Sequence, residues 1–335
     1  MDSILIALAS GLGLGAVATW LSLKVWPKLG WLDFPERYGL TRERLPYPGG
    51  IVFWILSVVG VWMIEPLRPL IIPILILGFV SYKDDRKALP AWLRLMVHFW
   101  IALFLVFQGV QIYYVSNPFA DTNFALAETI PFLAVLLTVG WIVAIQNAMN
   151  WFDGLPGLNV GISGVGFLTL ALLGVVRPEL WFDPNHFNLT LINFYLAALC
   201  AGAFWWYWKG KIILGDTGSQ LLGWLLAVMA IFSGAKIATT LLVLSLPLLD
   251  FGWVIFRRVW LEKKSPFKGD LFHLHHLLAA RAKDSRVTLY LVGGSLLLGL
   301  AAVFLPSEAK LPSFAAIALA VTIVNWRLWS RRKAN

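Results

Sequence analysis

The chain is poor in charged side chains and almost free of cysteine. Asp, Glu, Lys and Arg make up 13% of its 335 residues, about half of what a soluble domain carries. Its one cysteine, Cys200, lies in an apolar run, so no disulfide can form within the chain. No basic residue precedes the first apolar run, unlike in a cleaved signal peptide, and no internal repeat is visible. We therefore expect a retained first helix and a single domain over 1–335.

Hydrophobic residues, by contrast, make up 59% of the chain, and the mean hydropathy is +0.76. A soluble core cannot absorb that much apolar surface, whereas helices that satisfy their own backbone groups can place it in lipid. Since a bilayer core asks for about 20 residues per helix, we predict an all-α integral membrane bundle of ten to eleven spans. The eleven expected spans lie near 3–26, 49–64, 67–82, 91–108, 130–149, 159–176, 189–208, 218–233, 237–256, 287–305 and 313–328.

The basic residues predict the orientation of the bundle. The net charge of +9 is better explained by cytoplasmic loops facing anionic lipid than by nucleic-acid binding. With the N-terminus outside and the C-terminus in the cytoplasm, the inner segments contain 23 of the 27 Lys and Arg residues; these segments are 24–48, 83–94, 209–217, 257–286 and 327–335. Among the outer segments, 109–129 holds an alternating stretch before Asn117-Pro118, which predicts a small β-hairpin.

Adjacent carboxylates stand at the end of the third span, in Lys83-Asp84-Asp85-Arg86. Neighbouring positions on a helix point about 100° apart, so the two aspartates are expected to do different jobs, one facing a metal and the other a substrate proton. The alternative is a solvated charge run that pairs with nearby basic residues such as Arg94.

The fifth span ends in Asn147-Ala-Met-Asn150-Trp-Phe-Asp153-Gly. Asn147 and Asn150 share a helical face, and Asp153 continues it one turn on. The pattern is typical of a pocket wall for a nucleotide or a metal. The alternative is a capped helix end.

A polar turn, Gly215-Asp216-Thr217-Gly218-Ser219, follows Lys211 and enters the eighth span. An acidic residue beside a membrane span is costly unless it has a function, and a carboxylate suits Mg²⁺, which also takes substrate phosphates as ligands. The start of the helix and its glycines are expected to approach a phosphate. The alternative is an ordinary N-cap.

Three of the five histidines fall in His273-Leu-His275-His276, within a basic segment that also carries Arg281. On a helix, His273 and His276 would share a face and His275 would point elsewhere. The spacing is not the H-E-x-x-H of a zinc enzyme, so phosphate handling is favoured over metal binding. The alternative is a chance surface cluster.

Aspartates for Mg²⁺, basic groups for phosphate oxygens and the absence of an obvious Ser-His-Asp set together indicate phosphoryl transfer. The four motifs, in this order and spacing from about residue 44 to 281, resemble the polyprenyl-phosphate N-acetylhexosamine-1-phosphate transferases, the enzymes of glycosyltransferase family 4. The resemblance implies transfer of an N-acetylhexosamine 1-phosphate from a UDP-sugar to undecaprenyl phosphate. UMP is the other product, and Mg²⁺, or Mn²⁺ in its place, is the cofactor.

The resemblance also implies roles for individual residues. Asp216 would be the principal metal ligand, with Asn150, while Asp84 and Asp85 would position or deprotonate the lipid phosphate. The remaining residues would bind nucleotide, phosphate or sugar: Asn147, Asp153, Lys211, Arg44, Arg281, His273, His275 and His276. The catalytic loops are then near 27–48, 83–90, 150–158, 209–217 and 257–286, on the cytoplasmic face of the cell membrane.

The His-x-His-His form resembles the branch that initiates O-antigen, enterobacterial common antigen or teichoic acid. Pro156 is a departure, because many bacterial relatives have an Asp there. Two alternatives stay open: a phospho-MurNAc-pentapeptide transferase, and, from another class, a transporter or flippase for lipid-linked sugars. The identity of the sugar and the existence of a homodimer are also left open by the sequence.

Overall fold

A computed structural model describes residues 2–38, 41–116, 123–178, 186–233, 237–267 and 269–334. The described chain is a helical bundle, as predicted for an all-α membrane protein. Its α-helices are α1 (Asp2–Lys28), α2 (Ile51–Trp62), α3 (Ile71–Arg86), α4 (Ala91–Phe107), α5 (Leu126–Thr129), α6 (Pro131–Trp151), α7 (Leu158–Val176), α8 (His186–Trp208), α9 (Gly215–Phe232), α10 (Ile237–Val243), α11 (Ser245–Phe256), α12 (Leu274–Ala279), α13 (Asp284–Phe304) and α14 (Ser307–Ala334).

Eight helices within the described ranges are long and apolar enough to cross a bilayer, or nine if one bent pair counts as a single span. The two shorter apolar helices, α2 and α4, have 12 and 17 residues. At 1.5 Å per residue, α2 is only about 18 Å long, short of a hydrocarbon core of about 30 Å. The chain is therefore a multi-pass membrane protein, and the count of eleven spans stays a prediction.

The expected continuous span near 237–256 is wrong, because the chain breaks between α10 and α11. The segments Ile237–Val243 and Ser245–Leu261 meet at an angle of 81°, and the second continues past α11 as a π-helical turn, Arg257–Leu261. Pro247 explains the break, since it has no N–H to donate back to Val243 and its ring crowds that carbonyl.

The predicted hairpin is confirmed, and its location on the outer side of the membrane stays a prediction. Two short strands, β1 (Tyr114–Ser116) and β2 (Asn123–Ala125), pair antiparallel, with Val115 opposite Phe124. The residues between them, including Asn117-Pro118, lie outside the described part of the chain. The hairpin leads through α5 into α6.

Helix α9 is the centre of the bundle. In its most apolar 18-residue stretch, 83% of the residues are buried, whereas only 17% are buried in the corresponding stretches of α1 and α14. The start of α9 packs directly against the start of α2: a side chain at Gly50 would overlap the backbone of Gly218. The loop before α2 is bonded to the loop before α9, since the N–H groups of Gly49 and Gly50 donate to the carbonyls of Ile213 and Leu214 at 2.7 and 2.8 Å. The fold thus fixes the polar turn around Asp216 at one end of the bundle, here called the site end.

Candidate active site

The first and third motifs meet at the start of α9. Asp85 accepts four hydrogen bonds: from the Tyr47 hydroxyl (2.6 Å), the backbone N–H groups of Asp216 (2.7 Å) and Thr217 (2.9 Å), and the Thr217 hydroxyl (2.5 Å). Asp85, from α3, therefore caps a helix that begins 130 residues later. The expectation that this helix start would face a phosphate is wrong, because the Asp85 carboxylate already fills that position.

Asp84 points away from Asp85, as predicted from the angle of about 100° between neighbouring positions on a helix. Its carboxylate accepts the Leu89 N–H at 2.5 Å and the Arg94 Nη1 at 2.7 Å. The same Arg94 nitrogen donates to Asp216 Oδ2 at 3.0 Å. Arg94 in the first turn of α4 thus bridges the two motif carboxylates, a role that sequence reasoning gave it only in the alternative of a surface charge run.

Asp216 is held in place by side chains from two helices. Asn150 donates from Nδ2 to Asp216 Oδ1 at 3.0 Å and to the Ser219 hydroxyl at 2.8 Å, and Gln220 donates to Asp216 Oδ2 at 3.3 Å. Because the Asn150 nitrogen faces Asp216, only the side-chain oxygen of Asn150, Oδ1, could bind a cation. The N-cap alternative for Asp216 does not hold, since the cap of α9 is Asp85.

Asn147 and Asp153 lie beside this cluster but make different contacts. Asn147 donates to the carbonyl of Val143 at 2.8 Å and lies 3.4 Å from Nδ1 of His98. Asp153 is half-buried just past the end of α6, and its carboxylate has no hydrogen bond among the described residues. Burial, followed by the nearby charges of Asp216 and Asp85, raises the pKa of Asp153 well above its ordinary value.

The histidine motif packs on the glycine that follows Asp153. A side chain at Gly154 would overlap the His275 ring, and His275 also lies edge-on to Phe152 at 5.1 Å. His275 is fully buried with neither ring nitrogen bonded among the described residues. Burial, and then the neighbouring His276 and His273, lower the pKa of His275, so its ring is neutral at ordinary pH.

The helical pairing expected for His273 and His276 is wrong, because His273 is extended (φ −73°, ψ 150°) and precedes α12. The closest rings are His275 and His276, with centroids 4.2 Å apart, while those of His273 and His276 are 6.3 Å apart. His273 instead bonds to Asp250 of α11, its Nδ1 lying 2.8 Å from Asp250 Oδ2. Sequence reasoning missed Asp250, although a carboxylate within an apolar stretch is a usable signal.

A buried ion cluster anchors the segment that carries the histidines. Arg257, fully buried, donates to Glu262 at 2.6 Å and to both oxygens of Asp270, at 2.7 and 3.0 Å. Arg258 donates to Asp270 at 2.9 Å. Burial raises the pKa of Asp270, but the hydrogen bonds from Arg258 and Arg257 outweigh it and bring that pKa to about 2.

The other expected binding residues lie at the surface. Arg44 pairs with Glu36 at 3.1 Å and is exposed. Lys211 and Arg281 are exposed, and neither side chain has a hydrogen bond within the described ranges. The backbone carbonyl of Pro156 accepts a hydrogen bond from the Thr288 hydroxyl at 3.1 Å and so ties the loop after α6 to α13.

Comparison with known proteins decides the family. The model of the family described as "Glycosyl transferase family 4" matches residues 67–234, half of the chain. The chain belongs to glycosyl transferase family 4. The predicted membership is thus confirmed, and the matched range includes the Asp84-Asp85, Asn150 and Asp216 motifs of this family 4 member.

Curated relatives of this family 4 member are similar over most of its length. A "Probable undecaprenyl-phosphate N-acetylglucosaminyl 1-phosphate transferase" of Bacillus subtilis is 28% identical over 280 residues, covering 79% of this chain and 75% of the relative. A "Decaprenyl-phosphate N-acetylglucosaminephosphotransferase" of Mycobacterium tuberculosis is 28% identical over 75% of this chain and 69% of the relative. An "Undecaprenyl-phosphate alpha-N-acetylglucosaminyl 1-phosphate transferase" of Salmonella typhimurium is 28% identical over 81% of this chain and 75% of the relative.

Proposed function

We propose that the chain transfers N-acetylhexosamine 1-phosphate from a UDP-sugar to polyprenyl phosphate. An oxygen of the lipid phosphate would attack the sugar-linked phosphorus of the donor, the bond between the two donor phosphates would break, and UMP would leave. The printed names of three relatives support polyprenyl phosphate as acceptor and N-acetylglucosamine as the first sugar to test. The observation that carries the proposal is the convergence of Asp84, Asn150 and Asp216, from three separate motifs, at the site end.

The donor set fits a hard divalent cation. Mg²⁺ takes one or two carboxylates and completes its shell with water and phosphate oxygens, and Asp216 and Asp84, which share one nitrogen of Arg94, offer such carboxylates. The ion, when bound, would neutralise charge on the reacting phosphates. Asn150 and Ser219 would hold Asp216 in position, and Mn²⁺ is the natural substitute to test.

The remaining groups would bind and orient the substrates. Arg94 lies between the carboxylates and is 31% exposed, so its other guanidinium N–H groups can reach phosphate oxygens. His273 and His276 would face the phosphate or the sugar, and Asn147 the nucleotide. Asp85, with all four donors in place, would position the start of α9. A separate base is unnecessary, because a phosphate monoester is largely doubly ionised near pH 7.

The test is a purified-protein assay in lipid nanodiscs with undecaprenyl phosphate, Mg²⁺ and a panel of donors. UDP-GlcNAc, its 4-epimer and UDP-6-deoxy-HexNAc sugars such as N-acetylfucosamine and N-acetylquinovosamine form the panel, and UMP and the lipid diphosphate are measured. Asp216→Asn is expected to abolish both products while the protein stays folded in the membrane. Glu65→Gln, at an exposed carboxylate outside the cluster, is the matched control. Absence of UMP with every donor would reject the proposed reaction.

The orientation is tested separately. We propose that the site end faces the cytoplasm of the cell membrane, with the N-terminus outside, on the basis of the distribution of basic residues. In a Cys200→Ala background, the Lys263→Cys variant should react with an impermeant maleimide only in inverted vesicles. The Tyr113→Cys variant, altered next to the hairpin, should react only in right-side-out vesicles, and the reverse labelling pattern would refute this orientation.

A further inference from the structure

A buried aspartate of α11 contacts the histidine motif. Asp250 is 1% exposed and His273 6%. The Asp250 Oδ2 atom lies 2.8 Å from His273 Nδ1, and Oδ1 accepts the backbone N–H of Leu274 at 2.7 Å. Both carboxylate oxygens therefore have partners at the point where the histidine segment meets α11.

This contact is a hydrogen-bonded pair rather than a metal centre. The ligand atoms of Asp250, His273 and His275 lie within 4.8 Å of one another, a spacing that would admit a transition metal. Yet both oxygens of Asp250 already accept hydrogen bonds, and His273 directs its Nδ1 at the carboxylate. An N–H between Nδ1 and the carboxylate accounts for this geometry without an ion.

We propose that Asp250 is a positioning residue that fixes the tautomer and the orientation of His273. A carboxylate at Nδ1 requires the ring proton there, so the other nitrogen, Nε2, is left bare in the neutral ring and free for the substrate. Nε2 has no hydrogen bond among the described residues. The edge of Trp151, at 6.0 Å and 85°, limits rotation of the ring. This inference rests on the proposed function, because it places His273 beside the reacting phosphates.

The surroundings of the pair make Asp250 hard to replace. A carboxylate in an apolar helix is expensive unless it has a partner. The imidazoles of His275 and His276 lie near the pair, with ring centroids 5.4 and 6.3 Å from that of His273. The guanidinium of Arg258 lies 5.1 Å above the ring of Trp151, the residue whose edge contacts His273. The Leu274 N–H alone would be satisfied by any acceptor, whereas orientation of His273 needs the second oxygen.

The first test is the Asp250→Asn substitution, which keeps the size of the side chain. The Asn oxygen can accept from Leu274, but its NH₂ group then faces Nδ1 of His273 and requires that atom to be bare. The proton moves to Nε2, and we expect kcat to fall about 10- to 100-fold, with a much smaller change in KM for the UDP-sugar. Asp250→Glu, which restores a carboxylate, should recover part of the loss.

A double-mutant cycle separates positioning from mere structure. If Asp250 acts through His273, Asp250→Asn should have no further effect on kcat in a His273→Ala background. Multiplicative losses in the double variant, or unchanged kcat in Asp250→Asn alone, would overturn the proposal. A stoichiometric transition metal that is lost from both Asp250→Asn and His275→Ala would also overturn it, in favour of a metal centre.

The tautomer itself can be observed without any donor substrate. In protein labelled with ¹⁵N-histidine, the His273 signals are identified by their loss in His273→Ala. They should report a proton on Nδ1 in the parent and on Nε2 in Asp250→Asn. The same tautomer in both proteins would refute the positioning role. Since this measurement needs no turnover, its outcome stays distinct from failure of the proposed function, which would appear as a parent protein that releases no UMP.

Discussion

Replacing Asp85 with Asn should destabilise the site end of the bundle and not merely slow the reaction. The carboxylate accepts two hydrogen bonds on each oxygen, whereas an Asn side chain accepts on one oxygen only. In either orientation of the amide, two donors face an NH₂ group. A hydroxyl of Tyr47 or Thr217 can rotate away, but the backbone N–H of Asp216 or Thr217 cannot.

The size of the effect follows from those lost bonds. The stranded backbone N–H costs about 1–3 kcal/mol and the lost hydroxyl bond about 1 kcal/mol, together about 2–4 kcal/mol of a total stability of about 5–15 kcal/mol. We expect a melting temperature about 4–10 °C lower, measured as the fraction of detergent-solubilised protein that remains monodisperse after heating. Tyr47→Phe, which removes one donor only, should cost about 1 kcal/mol, and Glu65→Gln nothing measurable. An Asp85→Asn protein with the parental melting temperature and no turnover would show that Asp85 serves the chemistry and that the capping argument is wrong.

Three further changes test the packing, the ion cluster and the carboxylate bridge. Gly154→Ala would overlap the buried ring of His275 and should lower kcat/KM about 10- to 100-fold, whereas Gly140→Ala, where the added methyl meets nothing within 4 Å, should be neutral in the same assay. Asp270→Asn should lower the melting temperature at pH 7. Because the folded pKa of Asp270 is about 2, below its ordinary 3.8, its stabilising effect is present above pH 4. The difference between variant and parent should therefore shrink as the pH falls from 4 towards 2, and a constant difference would contradict the ion-pair explanation. Arg94→Gln should leave the two bridged carboxylates without a cation, so Mg²⁺ should raise the melting temperature of the variant more than that of the parent; an equal or smaller shift would argue against a shared cation position.

Sequence reasoning reached the membrane class, the hairpin and the family because these depend on composition, on local alternation and on residue spacing. It placed Asp84, Asn150 and Asp216 near one another only through the expectation that all motifs lie on one face. It could not foresee that Asp85 caps α9, since a cap supplied from 131 residues away depends on tertiary packing. The lowered pKa of His275 could not be predicted from the sequence either, because it depends on burial of the ring.

Other features were available in the sequence and were not used. Pro247 signals a break in what was expected to be one continuous span. Asp250, a carboxylate within that same apolar stretch, signals a buried partner, although only the structure identifies it as His273. Arg94 was noted as a neighbour of Asp84, but its contact with Asp216 depends on the way α4 packs against α3 and α6.

The glycine pair at Gly50 and Gly218 limits where this protein can deform during turnover. With two backbones in direct contact and no side chain between them to rearrange, the origins of α2 and α9 must travel as one rigid unit. Admission and release of the substrates must then involve other parts of the site, and we expect the loop 87–90 between α3 and α4 to supply the displacement. Spin-label distances from this loop to α2, recorded with and without donor, would reveal such a movement, while distances between α2 and α9 should stay constant.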